Sequence, residues 1–149
     1  MAIIHFELIT EVQQVLRRDF PMNDPTLLNP TSANPLLDGE MVILNSAYKL
    51  IRASANSAVP AWAIFAERGR YDTQAIGKVT VLFGHTYEVD TRVFASTPTL
   101  GAALGCQDAT VDSLTKSGVG TYSSGVILGY VTRTAASNGG RLRFIQTLV

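Results

Sequence analysis

Apolar and polar positions follow two different periods along this chain. Residues 7–18, ELITEVQQVLRR, place Leu8, Ile9, Val12, Val15 and Leu16 at the i, i+1, i+4, i+7, i+8 spacing of one helical face. Glu7 and Glu11 lie early and Arg17 and Arg18 late, which suits the helix dipole. The spacing predicts a short amphipathic helix that ends before Pro21, with a strand through IIHFELI as the alternative. From Asp38 onward the period becomes two. LLDGEMVIL predicts a turn at Asp38–Gly39 feeding a strand, SAYKLIRA a second strand, and PAWAIFAE a third that starts at Pro60. KVTVLFG puts Val79, Val81 and Phe83 on one face and Thr80 and Leu82 on the other. HTYEVDT sets Tyr87, Val89 and Thr91 against Glu88 and Asp90. GVILGYVT reads as a near-continuous apolar strand. SNGG at 137–140 signals a hairpin, and RLRFIQTLV returns with Leu142, Phe144 and Gln146 on one face. The segment PTLGAALGCQDATVDSLTKSGVGTYSSG predicts a long connection with one helical turn near 100–104 and a short strand near 111–114.

Proline divides the chain. Four of the six prolines fall at Pro21, Pro25, Pro30 and Pro35. Proline fixes φ, lacks an amide donor and pushes the preceding residue towards extended geometry. The pattern predicts an N-terminal arm over 1–37 and a compact domain over 38–149. The expected fold is mainly β: a small antiparallel β-barrel or sandwich, with an extended Pro-rich N-terminal arm and one short helix.

Composition narrows the partners. Twelve basic and twelve acidic residues give zero formal net charge, and the basic residues are scattered. That argues against a nucleic-acid backbone as the main partner. Charged residues make up only 16% of the chain, below the usual quarter, which points to surface covered in an assembly. Cys106 is the single cysteine, so no intrachain disulfide is expected. The start, MAIIHFELITE, lacks a basic leader and is interrupted by Glu7 and Glu11, so neither a secretory signal nor a membrane span is expected.

Candidate chemistry is sparse. His5 and His85 are far apart in sequence, and a strand places Glu88 and Asp90 on one face with Thr86 rather than with His85, so no metal ligand set is expected. Cys106 has no evident base and reads as a small buried side chain. The serines lack a GxSxG elbow. Gly118-Val119-Gly120 and Gly77-Lys78-Val79 miss the residues a phosphate loop needs. Asp38/Glu40 and Glu88/Asp90 each share a strand face and read as solvated or rim charges. Trp62, Phe65, Phe83, Tyr87, Phe94, Tyr130 and Phe144 sit at strand positions and read as core. No catalytic residue, cofactor or small-molecule substrate is expected.

LLDGEMVIL, YEVDTRVF, TLGAALGCQ, DSLTKSG and GVILGYVTR, with the final RLRFI, resemble the capsid decoration (cement) proteins of tailed bacteriophages over residues 36–149. The resemblance implies a non-enzymatic virion protein, made in the host cytoplasm. It implies binding to the outside of the expanded head, as a homotrimer that bridges neighbouring major capsid proteins. On that footing the arm is expected to cross to an adjacent subunit or capsid protein. Ile3, Ile4, Phe6 and Leu8 would add an edge strand, and Leu27, Leu28, Leu36 and Leu37 would make apolar contacts. Removal of residues 1–35 is then expected to leave a folded domain. The rival readings are a tail or baseplate adaptor, an OB-like module for single-stranded nucleic acid, and a small hydrolase.

Overall fold

A computed structural model describes residues 6–10, 16–24, 27, 33–65, 77–83, 86–136 and 140–147. The described residues form eleven strands and no helix. Six of them make an antiparallel sheet that curls as an open half-barrel. These are β1 (Phe6–Leu8), β7 (Tyr87–Thr91), β11 (Leu142–Gln146), β10 (Gly129–Arg133), β8 (Ala103–Val111) and β9 (Leu114–Thr121), in that spatial order. A second group contains β2 (Arg17–Pro21) paired with β6 (Lys78–Leu82). It also contains β3 (Met41–Leu44) between β4 (Leu50–Arg52) and β5 (Trp62–Ala63). An isolated bridge from Ile64 to Val81 joins the two parts of that group, and a parallel bridge joins Met22 to Leu50.

Two apolar cores share one layer of strands. Met41, Ala61 and Ala63 face the first core with Tyr87, Val89, Leu104, Leu142 and Phe144. Their chain neighbours Val42, Ile64 and the half-buried Trp62 face the second, with Phe20, Met22, Leu50, Val79 and Val81. Side chains alternate along a strand, so a strand with apolar residues on both faces separates two cores. This explains why MVIL and AWAIF are apolar at every position rather than at every second one. The face assignment on β6 holds: Val79, Val81 and Phe83 belong to the second core and Leu82 to the first. On β11, Leu142, Phe144 and Gln146 are buried while Arg143 and Ile145 lie half-buried on the opposite face. Gln146 keeps its amide satisfied, accepting from the Tyr87 hydroxyl and donating to Ala61 O at 2.8 Å.

Several expectations are corrected. The ends of the expected helix at 7–18 are strands: Glu7 and Leu8 belong to β1 and Arg17 and Arg18 to β2, while residues 11–15 lie outside the described set. Tertiary pairing with β7 and β6 wins over a helical period that twelve residues stabilise only marginally. The strand alternative describes β1. The expected connection at 98–125 is instead the longest hairpin, β8 with β9, and 100–104 holds no helical turn. Its strands are built from Ala, Gly, Cys, Ser and Thr, which carry a weak β signal. Its two-residue turn is Asp112–Ser113, with φ of 51° and 65°, the type I′ pattern that Asn-Gly usually marks. GVILGYVT is strand only from Gly129 onward. The turn expected at Arg68–Asp72 and most of SNGG lie outside the described residues.

Candidate interaction surface

Two short strands of the N-terminal segment, β1 and β2, pair with the body. β1 pairs antiparallel with β7, Phe6 opposite Thr91 and Leu8 opposite Val89. Ile9 N and Thr10 N both donate to Glu88 O, and Glu88 N donates back to Thr10 Oγ1 at 2.7 Å. β2 then pairs with β6, Arg17 opposite Leu82 and Pro21 opposite Lys78. β6 and β7 are consecutive strands, and β1 and β2 contribute to different cores, Phe6 to the first and Phe20 to the second. Phe6 is buried over Gly39, where a Cβ would lie 2.6 Å from the Phe6 ring; Gly39 also has φ +90°, so only glycine suits the position. Phe20 and Met22 are buried in the second core. Thr80 Oγ1 donates to Asp19 Oδ1 at 2.5 Å across the β2–β6 pair. Pro21 is tolerated because β2 pairs with β6 alone among the named strands.

A buried charge cluster holds the root of this segment. Glu40 is fully buried. Its Oε1 accepts from Arg52 Nε at 2.8 Å and from Ser117 N at 3.1 Å. Its Oε2 accepts from Leu37 N at 2.8 Å and from Arg52 Nη2 at 3.2 Å. Arg52 Nη2 also donates to Asn34 O at 2.9 Å and Pro35 O at 3.1 Å, and Lys116 Nζ donates to Pro35 O. Asn34 Nδ2 completes the clasp by donating to Thr115 O at 3.1 Å. Loss of hydration on burial lowers the Lys116 pKa from its ordinary value, opposed by the Glu40 charge. Residues 34–37 are thereby tied to β4 and to the β8–β9 hairpin.

The outer face of the six-stranded sheet carries a second ionic network. Asp90 is buried and accepts from Arg143 Nε at 2.7 Å and from Arg133 Nη2 at 3.2 Å. The hydrogen bond to Asp90 raises the Arg143 pKa, so that guanidinium stays charged. Arg141 Nη1 bonds Glu7 Oε2 at 2.9 Å and ties β1 to the edge of β11. On the second sheet, Phe20 and Trp62 stack with ring planes 1° apart, and the exposed Arg18 guanidinium lies 4.8 Å from the Phe20 ring centre. Leu100 (68% exposed), on the turn before β8, and Tyr130 (45% exposed), on the neighbouring β10, project into solvent, as do Leu16, Tyr48, Val59 and Tyr122.

The arm residues expected to seek a partner have other uses where they are described. Phe6 is in the first core and Leu8 packs against it. Leu27 and Leu36 pack against the second core, and Leu37 packs on a third small cluster of Val93, Ala109 and Val111. Ile3, Ile4 and Leu28 lie outside the described residues, as do His5 and His85. Glu40 and Asp90 are not solvated rim charges, and Tyr130 is not core. Sequence reading missed both carboxylates because their arginine partners lie 12 and 53 positions away. A charged residue between turn glycine and apolar strand, as in DGEMV, was the available signal for Glu40. Cys106 is buried, and burial pushes its thiol up to about 11. Among the described residues no group of His, Cys, Asp and Glu is arranged to hold a metal ion.

No family model matches this chain, and no curated protein or solved structure matches it significantly.

Proposed function

We propose that this chain is a structural virion protein that binds the outer surface of a tailed-phage head as a homotrimer. It stabilises the capsid by bridging neighbouring major capsid proteins, without a cofactor and without covalent chemistry. The observation that carries the reading is a pair of projecting apolar side chains on a charge-poor β body, Leu100 on the turn before β8 and Tyr130 on β10, the strand that pairs with β8. Isolated aromatic and aliphatic anchors on a neutral surface suit protein neighbours better than a phosphate backbone. The resemblance of residues 36–149 to decoration proteins adds the head as the partner. Repeated contacts over a symmetric lattice then give avidity without any single strong site.

The test is co-sedimentation of the purified chain with undecorated, expanded heads. Saturable binding at a fixed ratio to capsid protein is expected. Leu100→Ser combined with Tyr130→Ser should weaken it at least about tenfold, or roughly 1.4 kcal/mol. No binding at saturating protein would overturn the capsid reading and turn attention to tail components.

A further inference from the structure

Lys116 is a buried amine that shares a hydrogen-bond network with an electrophile. Its side chain is 4% exposed, and burial lowers its pKa, so more of it is free amine than on an open surface. Its Nζ donates to Pro35 O and lies 4.0 Å from Glu40 Oε2. Asn34, the residue before Pro35, brings its carboxamide to the same place. Arg52 Nη2 reaches Asn34 Oδ1 at 3.4 Å and Pro35 O at 3.1 Å. One guanidinium nitrogen therefore bridges the carboxamide and the carbonyl that holds the amine. Asn34 Nδ2 donates at 3.1 Å to the carbonyl of Thr115, the residue next to Lys116 on β9. The usual deamidation of an asparagine runs through the following backbone nitrogen. Here that nitrogen belongs to Pro35 and carries no hydrogen.

We propose that Lys116 and Asn34 join in an isopeptide bond within one chain. A turn of the flexible lysine side chain takes Nζ from Pro35 O to Asn34 Cγ, and Pro35 O keeps its bond from Arg52. The Nζ–Cγ bond forms and the Cγ–Nδ2 bond breaks. Arg52 Nη2 stabilises the charge that develops on Oδ1. Glu40, the carboxylate beside Nζ, takes the proton from the attacking amine, and that proton passes to Nδ2, which leaves as ammonia. Amine and carboxamide become a secondary amide plus ammonia, with no oxidant and no cofactor. The fold holds both groups in one cluster, which replaces the encounter of two free reactants. Freshly refolded chain starts in the open form, held by the noncovalent cluster alone, and closes on standing. The bond locks residue 34 to the β8–β9 hairpin. It lies within one chain, so it goes beyond the capsid reading and does not depend on what surface the protein binds.

The test is the intact mass of purified full-length chain stored in its folded state, followed by digestion with trypsin. The stored chain should be lighter than its 16.0 kDa sequence mass by one ammonia. Trypsin does not cut after an acylated lysine, so a branched product should join residues 19–49 to residues 93–133. Asn34→Ala and Lys116→Met should each keep their full mass. Asn34→Ala removes no charge from the cluster and should fold. Wild-type chain that keeps its full mass after prolonged storage overturns the proposal. So does an ammonia loss that persists in Asn34→Ala, or one that maps to Asn138–Gly139, where a succinimide gives the same mass. Should a variant misfold, the presence or absence of the branched wild-type peptide decides by itself. No heads enter the experiment, so its failure is separable from failure of the capsid reading.

Discussion

Glu40 and Lys116 belong to one cluster but contribute unequally. Glu40 accepts four hydrogen bonds, and its loss leaves the buried Lys116 and the half-buried Arg52 without their counter-charge. Glu40→Gln should therefore destabilise the fold by about 3–5 kcal/mol, measured by chemical denaturation. Lys116→Met removes a cation whose burial opposes its charge, and Pro35 O keeps its bond from Arg52, so a change below about 1 kcal/mol is expected. Cys106 gives a pH signature. Its folded-state value of about 11 exceeds the ordinary 9.0, so the thiol is favoured in the folded state. Its contribution to stability is whole below pH 9 and is lost as pH rises through 11; the buried Tyr87, also raised, acts in the same direction. Iodoacetamide at pH 8 should label Cys106 in denaturant and leave the native chain unmodified. Rapid labelling of native protein would contradict its burial.

At the level of elements, the β8–β9 hairpin depends on residues chosen for their smallness. A Cβ on Gly118 would lie 2.4 Å from Val93 O, in the place where Val119 N donates to that same carbonyl at 3.2 Å. Gly118→Ala must shift backbone and should cost about 1–3 kcal/mol, read as a lowered melting temperature. Smallness also made the hairpin hard to read. Low β propensity at Gly105, Ala109, Gly118 and Gly120 hides strands whose worth lies in close approach of their neighbours. β6, β7 and β11 were legible because Val, Tyr, Phe and Thr alternate there against charged residues. The helical spacing at 7–18 is real in the sequence, yet β7 and β6 supply hydrogen-bond partners that a solitary turn of helix lacks.

For the molecule as a whole, the N-terminal strand is part of the packing. Phe6 enters the first core, and Phe20 and Met22 enter the second. Removing residues 1–35 would uncover both cores, one edge of β6 and one edge of β7, and so argues against a folded remainder. The truncated chain should lose its cooperative unfolding transition and bind a hydrophobic dye. A sharp transition at the wild-type temperature would show that the strand is dispensable. Phe20→Ala, which keeps the backbone pairing, should cost about 3–5 kcal/mol through the cavity left beside Trp62 and Val79.

The mainly β class, the strands β3 to β7 and β11, part of β10, and the turn at Asp38–Gly39 were legible in the sequence alone. These follow from local rules: period-two patterning, proline's missing donor and glycine's freedom at positive φ. What long-range contacts alone settled is that Phe6–Leu8 and Arg17–Pro21 are strands, that MVIL separates two cores, and that Glu40 and Asp90 are interior charges. Each of those depends on groups distant in sequence, β7 for Phe6, Arg52 and Ser117 for Glu40, Arg143 for Asp90, and such pairings leave no periodic trace in the residues that make them.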